Sequence, residues 1–295
     1  YTKEEFESLK EQTSGSFVGI GVYISPTSDD DYITIIAPIE GSPAEKGGIK
    51  AGDKIIKVDD QNVYANDSDK AISMIKGKAG TEVKLTLKRG EEELDLKIKR
   101  EEIISKSVDS KVLEDGIGYI KITSFNENTY KEFTEALSNL KKQNIKGLAL
   151  DLRNNPGGLL DICSEIADDL IGEGTIVYTK DNKGDKEYIK SDSNKLGLPI
   201  AVLVNEGSAS ASEILTAAIV DNNEGIAIGT TTFGKGLVQS VRELKDGTGY
   251  KLTTAQYFTP NDNYIHGKGI EPKIIEKDEN KQLDVAVNWI KEQIK

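Results

Sequence analysis

One stretch of the chain could make a nucleophile: Asn205-Glu206-Gly207-Ser208-Ala209-Ser210-Ala211-Ser212-Glu213. It follows an apolar run at 199–204 and opens a run of helical periodicity at 210–220, so three serines stand where a strand becomes a helix. Such a junction exposes a side chain at the end of a sheet and leaves backbone N–H groups without partners beside it. A serine that attacks a carbonyl needs both features, because the resulting oxyanion requires donors aimed at it. The same letters also spell a capping box, with Ser210 and Glu213 each accepting from the other's backbone N–H. Taken alone, the segment suits either role.

A nucleophilic serine needs a base. His266 is the only histidine. It lies in a polar, glycine-rich stretch, 263–269, where a solvated surface histidine is the plain alternative. A lysine serves only when neutral, a form that burial favours. Most lysines here sit in charged strings. Lys235 instead sits in Thr230-Thr231-Thr232-Phe233-Gly234-Lys235-Gly236-Leu237-Val238-Gln239, with no other charge within five residues on either side. A solvated lysine on a glycine turn fits those letters equally well. A second turn, Arg153-Asn154-Asn155-Pro156-Gly157-Gly158-Leu159, supplies further N–H groups. It suits a second oxyanion donor or an ordinary strand-to-helix connection.

The elements that must position these residues follow from periodicity. From about 101 onward, strands at 118–122, 147–152, 199–204 and 226–228 alternate with helices at 129–142, 159–171 and 210–220, and a helix at 283–294 closes the chain. The runs 147–152 and 199–204 are apolar without alternation, as strands buried on both faces are. This pattern predicts an α/β sheet covered by helices. From 17 to 100 the rhythm is shorter, with strands at 18–24, 32–37, 54–58, 82–88 and 94–98 and short helices after Pro43 and around Ile72 and Ile75. That is enough for a small β-rich domain. Residues 3–12 read as a surface helix broken by Gly15-Ser16. The expected division is therefore 1–16 with the core, 17–100 as a separate domain, and 101–295 as the core.

The 295 residues carry 38 basic and 50 acidic side chains, a net charge of −12, which argues against nucleic-acid binding. With 37% hydrophobic and 30% charged residues the composition is that of an ordinary globular protein. Cys163 is the single cysteine, so no internal disulfide forms, and one Cys with one His cannot complete a structural zinc site. No metal or cofactor is expected. No apolar run is long enough to span a bilayer, and the first residues carry no signal-peptide pattern.

Taken together the motifs resemble the C-terminal processing peptidases, the tail-specific proteases of family S41. The matching pieces are Asp151-Leu152-Arg153-Asn154-Asn155-Pro156-Gly157-Gly158, Ser208-Ala209-Ser210-Ala211-Ser212-Glu213, Thr232-Phe233-Gly234-Lys235-Gly236-x-x-Gln239, and Leu252-Thr253-Thr254-Ala255-x-Tyr257-x-Thr259-Pro260, in family order along almost the whole chain. The resemblance implies a ClpP/crotonase-like βαβ protease core and a Ser–Lys mechanism. In it Ser210 is the nucleophile, Lys235 the base and Gln239 the residue that orients the lysine. Oxyanion donors map to Ala211 and to Gly157 and Gly158, and Asp221 matches a supporting acidic position.

The resemblance also makes 17–100 a PDZ domain. Gly19, Ile20, Gly21 and Val22 would grip a substrate's terminal carboxylate, and Ala71, Ile72 and Ile75 would line the pocket for its last side chain. The implied partners are protein or peptide substrates with free, apolar C-termini. The implied location is outside the cytoplasmic membrane of a bacterium, periplasmic or cell-surface, with any membrane tether in a removed upstream segment. The sequence departs from the family pattern at Thr230 or Thr231 and at Lys273, where acidic residues are usual. Two rival readings are a peptide- or ligand-binding protein with an inactive core and a crotonase-like acyl-CoA enzyme. Ser210, Lys235 and Gln239 disfavour the first, and the PDZ segment with Lys235 the second.

Overall fold

The computed structural model describes residues 1–25 and 31–294. Two units divide it: Ser16–Ser105, and Tyr1–Gly15 together with Lys106–Lys295. Helix α1 (Lys3–Ser14) opens the chain, with Thr2 capping its first turn and Gly15, at φ 66°, ending it.

The inserted unit holds β1 (Ser16–Gly19), β2 (Val22–Ser25), β3 (Ile33–Pro38), α2 (Pro43–Lys46), β4 (Lys54–Val58), β5 (Gln61–Asn62), α3 (Ser68–Ile75), β6 (Glu82–Arg89), β7 (Glu92–Lys99) and β8 (Glu101–Ile104). The strand expected over 18–24 is two strands in different sheets. β1 pairs antiparallel with β8, whereas β2 forms the outer edge of the sheet ordered β2-β3-β4-β6-β7. Gly21 makes the break, at φ 79°, in the left-handed region that glycine enters without a steric cost. Residues 101–104, expected with the core, belong to this unit because they supply β8 as the partner of β1. Its core gathers Ile33 and Ile35 of β3, Ile55 and Val58 of β4, Val83, Leu85 and Leu87 of β6, and Ala71 and Ile75 of α3.

The larger unit continues with β9 (Val108–Val112), β10 (Ile117–Ile122), α4 (Thr129–Lys142), β11 (Gly147–Asp151), α5 (Leu160–Leu170), β12 (Gly174–Asp181), β13 (Lys186–Ser191), β14 (Ile200–Val204), α6 (Ala211–Asp221), β15 (Gly225–Gly229), β16 (Leu237–Glu243), β17 (Gly249–Phe258), β18 (Ile274–Ile275) and α7 (Glu279–Gln293). Its central sheet runs β18-β15-β14-β11-β10-β9, parallel except for β9. Every residue of β11 and β14 is buried. Leu148, Leu150 and Val202 face the layer of α4, α5 and α6, while Ala149, Ala201 and Leu203 face α7. The small residues on the α7 side let that helix come close: a Cβ on Gly147 would overlap the Ile290 side chain. Each isoleucine or leucine fully buried this way contributes about 1.5–3 kcal/mol.

A second, antiparallel sheet, β13-β12-β17-β16, lies outside the sequence expectation altogether. Its strands are short of continuous apolar runs, and β13 shows a single buried residue, Ser191.

Candidate active site

Three loops converge because three neighbouring parallel strands deliver them. The 152–159 turn leaves the carboxyl end of β11, the 205–210 turn leaves β14, and residues 230–236 leave β15. The order β15-β14-β11 therefore sets the lysine loop and the glycine turn on either side of the serine turn, at the edge where α/β sheets present ligand sites.

The three serines are not equivalent. Ser208 is fully buried; its hydroxyl donates to Leu152 O at 2.8 Å and accepts from Asn205 N–H at 3.0 Å. Ser212 is also fully buried and donates to Asn155 O at 2.9 Å. Both hydroxyls fasten the serine turn to the glycine turn. Ser210 alone is half-buried. Its backbone sits at φ 55° and ψ −115°, and Ser212 N–H closes a turn onto Ala209 O at 3.1 Å. Those angles at the second position of a turn belong to the type II′ form, which favours glycine. A serine held there costs about 1–3 kcal/mol, a strain characteristic of the sharp strand-to-helix elbow that lifts a nucleophile out of a sheet. It is also far from the extended backbone of an ordinary capping residue.

Glu213 explains how that strained turn is held. Its carboxylate is fully buried and accepts four hydrogen bonds. Oε1 receives the Thr232 hydroxyl at 2.6 Å and Gly234 N–H at 2.7 Å. Oε2 receives Ser210 N–H at 2.9 Å and Lys235 N–H at 2.8 Å. One oxygen thus ties the backbones of Ser210 and Lys235 together, which keeps their nitrogens within about 6 Å of each other. The capping-box reading gave Glu213 only its bond to Ser210 N–H. Its reach across to the lysine loop had no signal in the sequence beyond a charged residue in an otherwise apolar helix.

Lys235 is half-buried, between Gly234 and Gly236, which are both buried. The 265–269 segment packs on these glycines: a Cβ on Gly234 would lie 2.9 Å from Gly269 N, and one on Gly236 would lie 2.7 Å from His266 N. His266 itself is exposed with its ring 6.0 Å from that of Tyr264, and among the described residues no hydrogen bond joins it to Ser210. Gln239 stands exposed on β16, after a bulge between Val238 and Gln239 and opposite Thr253. Among the described residues no hydrogen bond joins it to Lys235.

In the glycine turn, Asn155 is the hub. It is fully buried, donates from its side chain to Ile122 O at 2.9 Å, and accepts Ala209 N–H on its carbonyl at 3.0 Å. Its side-chain oxygen takes Gly157 N–H at 2.9 Å. The expected pair of glycine donors is thereby narrowed, since Gly157 N–H is already engaged in this turn. Gly157 O accepts Phe125 N–H at 3.0 Å and Leu159 N–H reaches Phe125 O at 2.7 Å. Because the peptide is planar and trans, Gly158 N–H points away from Phe125. Gly157 lies directly against the serine turn, with a Cβ there falling 2.8 Å from Ser210 Cβ and 3.0 Å from Ala211 N. Ala211 begins α6, so its N–H is one of the donors the helix cannot use.

Polar contacts fix this edge from behind. Asp151 accepts the Tyr119 hydroxyl at 2.7 Å and Arg153 through Nε at 2.9 Å and Nη2 at 2.5 Å. Burial alone would raise the Asp151 carboxyl, but Arg153 and Tyr119 together hold it below the ordinary 3.8. Burial, with Asp151 beside it, pushes the Tyr119 phenol up. Burial likewise raises Cys163, whose thiol donates to Ala211 O at 3.1 Å and stays protonated. Asp221 accepts the Thr259 hydroxyl at 2.6 Å and Asn261 N–H at 3.0 Å, a link between α6 and the end of β17. No group of His, Cys, Asp and Glu suited to a metal ion occurs among the described residues.

In the inserted unit, Ile20 O accepts Ala44 N–H at 2.8 Å, and Gly21 O accepts Ile39 N–H at 3.0 Å and the Ser42 hydroxyl at 3.0 Å. With both carbonyls tied inward, the N–H groups of Gly21 and Val22, in the same trans peptides, face the other way. Val22 lies on the outer edge strand β2, so its N–H looks to the open side of the sheet. Gly19 is held in β1 against Glu101. Ala71 and Ile75 are buried in the unit's core, and Ile72 is half-buried.

A mixed α/β sheet, a strained serine turn bound through one carboxylate to a lysine turn, and a small β domain with an open edge strand define a class, and comparison with known proteins agrees. The model of peptidase family S41 matches residues 116–275, and that of the PDZ domain matches 18–99. The chain belongs to peptidase family S41 and carries a PDZ domain. It is 44% identical over 275 residues to the carboxy-terminal processing protease CtpA of Bacillus subtilis, covering 92% of this chain and 59% of that protein. It is 42% identical over 292 residues to a CtpA-like serine protease of Staphylococcus aureus, covering 97% and 58%. The chain thus spans less than two thirds of the length of these relatives. Among solved structures, the photosystem II D1 C-terminal processing protease is 32% identical with a TM-score of 0.57, covering 94% of this chain and 77% of that one.

Proposed function

We propose that this protein is a serine endopeptidase that cuts substrates near apolar, free C-termini by a Ser–Lys mechanism. Neutral Lys235 takes the proton of the Ser210 hydroxyl as its oxygen attacks the peptide carbonyl. The oxyanion rests between Ala211 N–H and Gly158 N–H. The amine leaves with a proton from Lys235, and water, activated by the same lysine, releases the acyl group from Ser210. No cofactor enters the steps. Gln239 orients Lys235 once substrate is bound, since apo hydrogen bonds at catalytic sites often form only in the complex. The PDZ domain receives the terminal carboxylate on Gly21 N–H and Val22 N–H, the substrate adding as a strand on β2 beside Ile72. The relatives named above are bacterial, and action outside the cytoplasmic membrane belongs to the same proposal.

The observation that carries this reading is the shared Glu213 oxygen, which binds Ser210 N–H and Lys235 N–H at once. The test is hydrolysis of an unstructured peptide with an apolar free C-terminus. Ser210→Ala and Lys235→Ala each abolish cleavage, whereas Ser208→Ala and Ser212→Ala leave it measurable. Amidating the peptide's C-terminus slows the wild type. Activity in Ser210→Ala, or its loss in His266→Ala with the fold intact, rejects the assignment.

A further inference from the structure

We propose that Phe233 is a specificity-determining residue whose ring holds a large apolar side chain of the substrate next to the scissile bond. The inference rests on the Ser–Lys reading and deepens it.

Phe233 is 66% exposed, the most exposed of the large apolar side chains among the described residues. Isolated surface hydrophobes are common, and exposure by itself gives Phe233 no role. What sets Phe233 apart is its place. It lies two residues before Lys235, and the backbone on both sides of it is fastened. Thr232 N–H donates to Ile270 O at 3.2 Å, and Phe233 N–H donates to Ser208 O at 3.0 Å. Gly234 and Lys235 N–H groups both donate to Glu213. The ring therefore stands on a turn bonded to the nucleophile's own loop.

The turn also gives the ring no inward place to go. Thr232 is buried and spends its hydroxyl on Glu213. Gly234 is filled from behind by the backbone nitrogens of Gly267, Lys268 and Gly269, and a Cβ on Gly269 would meet Thr232 O at 2.3 Å. Backbone packs on backbone at these positions, so no hydrophobic slot is left for Phe233 within its own loop. A rigidly presented aromatic face beside a catalytic base is suited to an apolar side chain of the bound peptide, within a residue or two of the bond that Ser210 attacks.

The test uses two unstructured peptides with the same apolar C-terminus, one with leucines and one with alanines flanking the cleaved bond, the cut mapped by mass spectrometry. Phe233→Ala lowers kcat/KM for the leucine peptide about 10- to 100-fold and changes the alanine peptide less than about threefold. Phe233→Leu restores most of the loss. Thermal unfolding of Phe233→Ala matches the wild type, as expected for an exposed side chain. Equal losses on both peptides, or no loss on either, overturn the inference while leaving the Ser–Lys reading standing. A wild type that cleaves neither peptide, or a Ser210→Ala variant that cleaves as well as the wild type, defeats that reading itself and the inference with it.

Discussion

The two regions proposed to receive substrate are built by opposite means. In the larger unit the serine, lysine and glycine turns are pinned by buried polar side chains: Glu213 with four acceptor bonds, Asn155 with bonds to both turns, Ser208 and Ser212 as hydroxyl tethers. In the inserted unit the Ile20–Gly21 corner is held by two backbone bonds and a single serine, Ser42. Chemistry requires a nucleophile, a base and donors fixed to a fraction of an ångström, and buried side-chain networks supply that rigidity. Reading a chain terminus requires only a strand edge with N–H groups aimed outward, which backbone alone provides.

Substitution of Glu213 should disturb the larger unit's network most. Glu213→Gln replaces one acceptor oxygen with an amide facing donors, so it should cut kcat/KM by at least about 100-fold and destabilise the fold by about 2–4 kcal/mol. Peptide hydrolysis and denaturant melts measure both, and near-normal activity would show that the clamp does not position the pair. The matching change in the other region is Gly21→Ala. Its Cβ would fall 2.5 Å from Ser42 Cβ at a φ of 79°. The preference for free over amidated C-termini should drop about tenfold, with cleavage of the amidated peptide retained; a preserved preference would place the tail site elsewhere.

A finer prediction concerns the strain at Ser210. Ser210→Ala keeps a Cβ at φ 55° and should match the wild type in stability, whereas Ser210→Gly should exceed it by about 1 kcal/mol while being equally inactive. Equal melting of the two variants would deny the strain. The smallest effect is on pH. Each region has one buried aspartate whose carboxyl burial would raise but arginine holds low: Asp151 by Arg153, helped by Tyr119, and Asp53 by Arg89, helped by Lys50 N–H. A depressed folded-state value means that their stabilisation is complete above the ordinary 3.8 and disappears as pH falls through the lower folded value. Urea melts between pH 3 and 6 should show stability falling at the acid end, with a shallower fall in Asp151→Asn and Asp53→Asn.

The same contrast governs what could be read in advance. Strands β11 and β14 were legible because burial on both faces leaves an apolar run, and α4, α5 and α6 because one apolar face leaves a helical period. The serine turn was legible as residue types, and the lysine turn by its lack of neighbouring charge. The sheet of β12, β13, β16 and β17 was not, since much of it is exposed and polar. The division at Gly21 was hidden because an apolar run from 18 to 24 looks continuous until one glycine takes a positive φ. The buried tethers were least visible of all. Asn155 and Glu213 act on residues up to 57 and 22 positions away, and nothing in local spacing marks them.

In the proposed mechanism Ser210 carries the acyl group and Lys235 drives its formation. Rapid acid quenching of the wild type during peptide cleavage, followed by peptide mapping in the mass spectrometer, tests it most directly. The expected result is an acyl adduct on the fragment containing Ser210, localised to that side chain and absent from Ser210→Ala and Lys235→Ala. An adduct on Ser208 or Ser212, or undiminished turnover by Lys235→Ala, would contradict it.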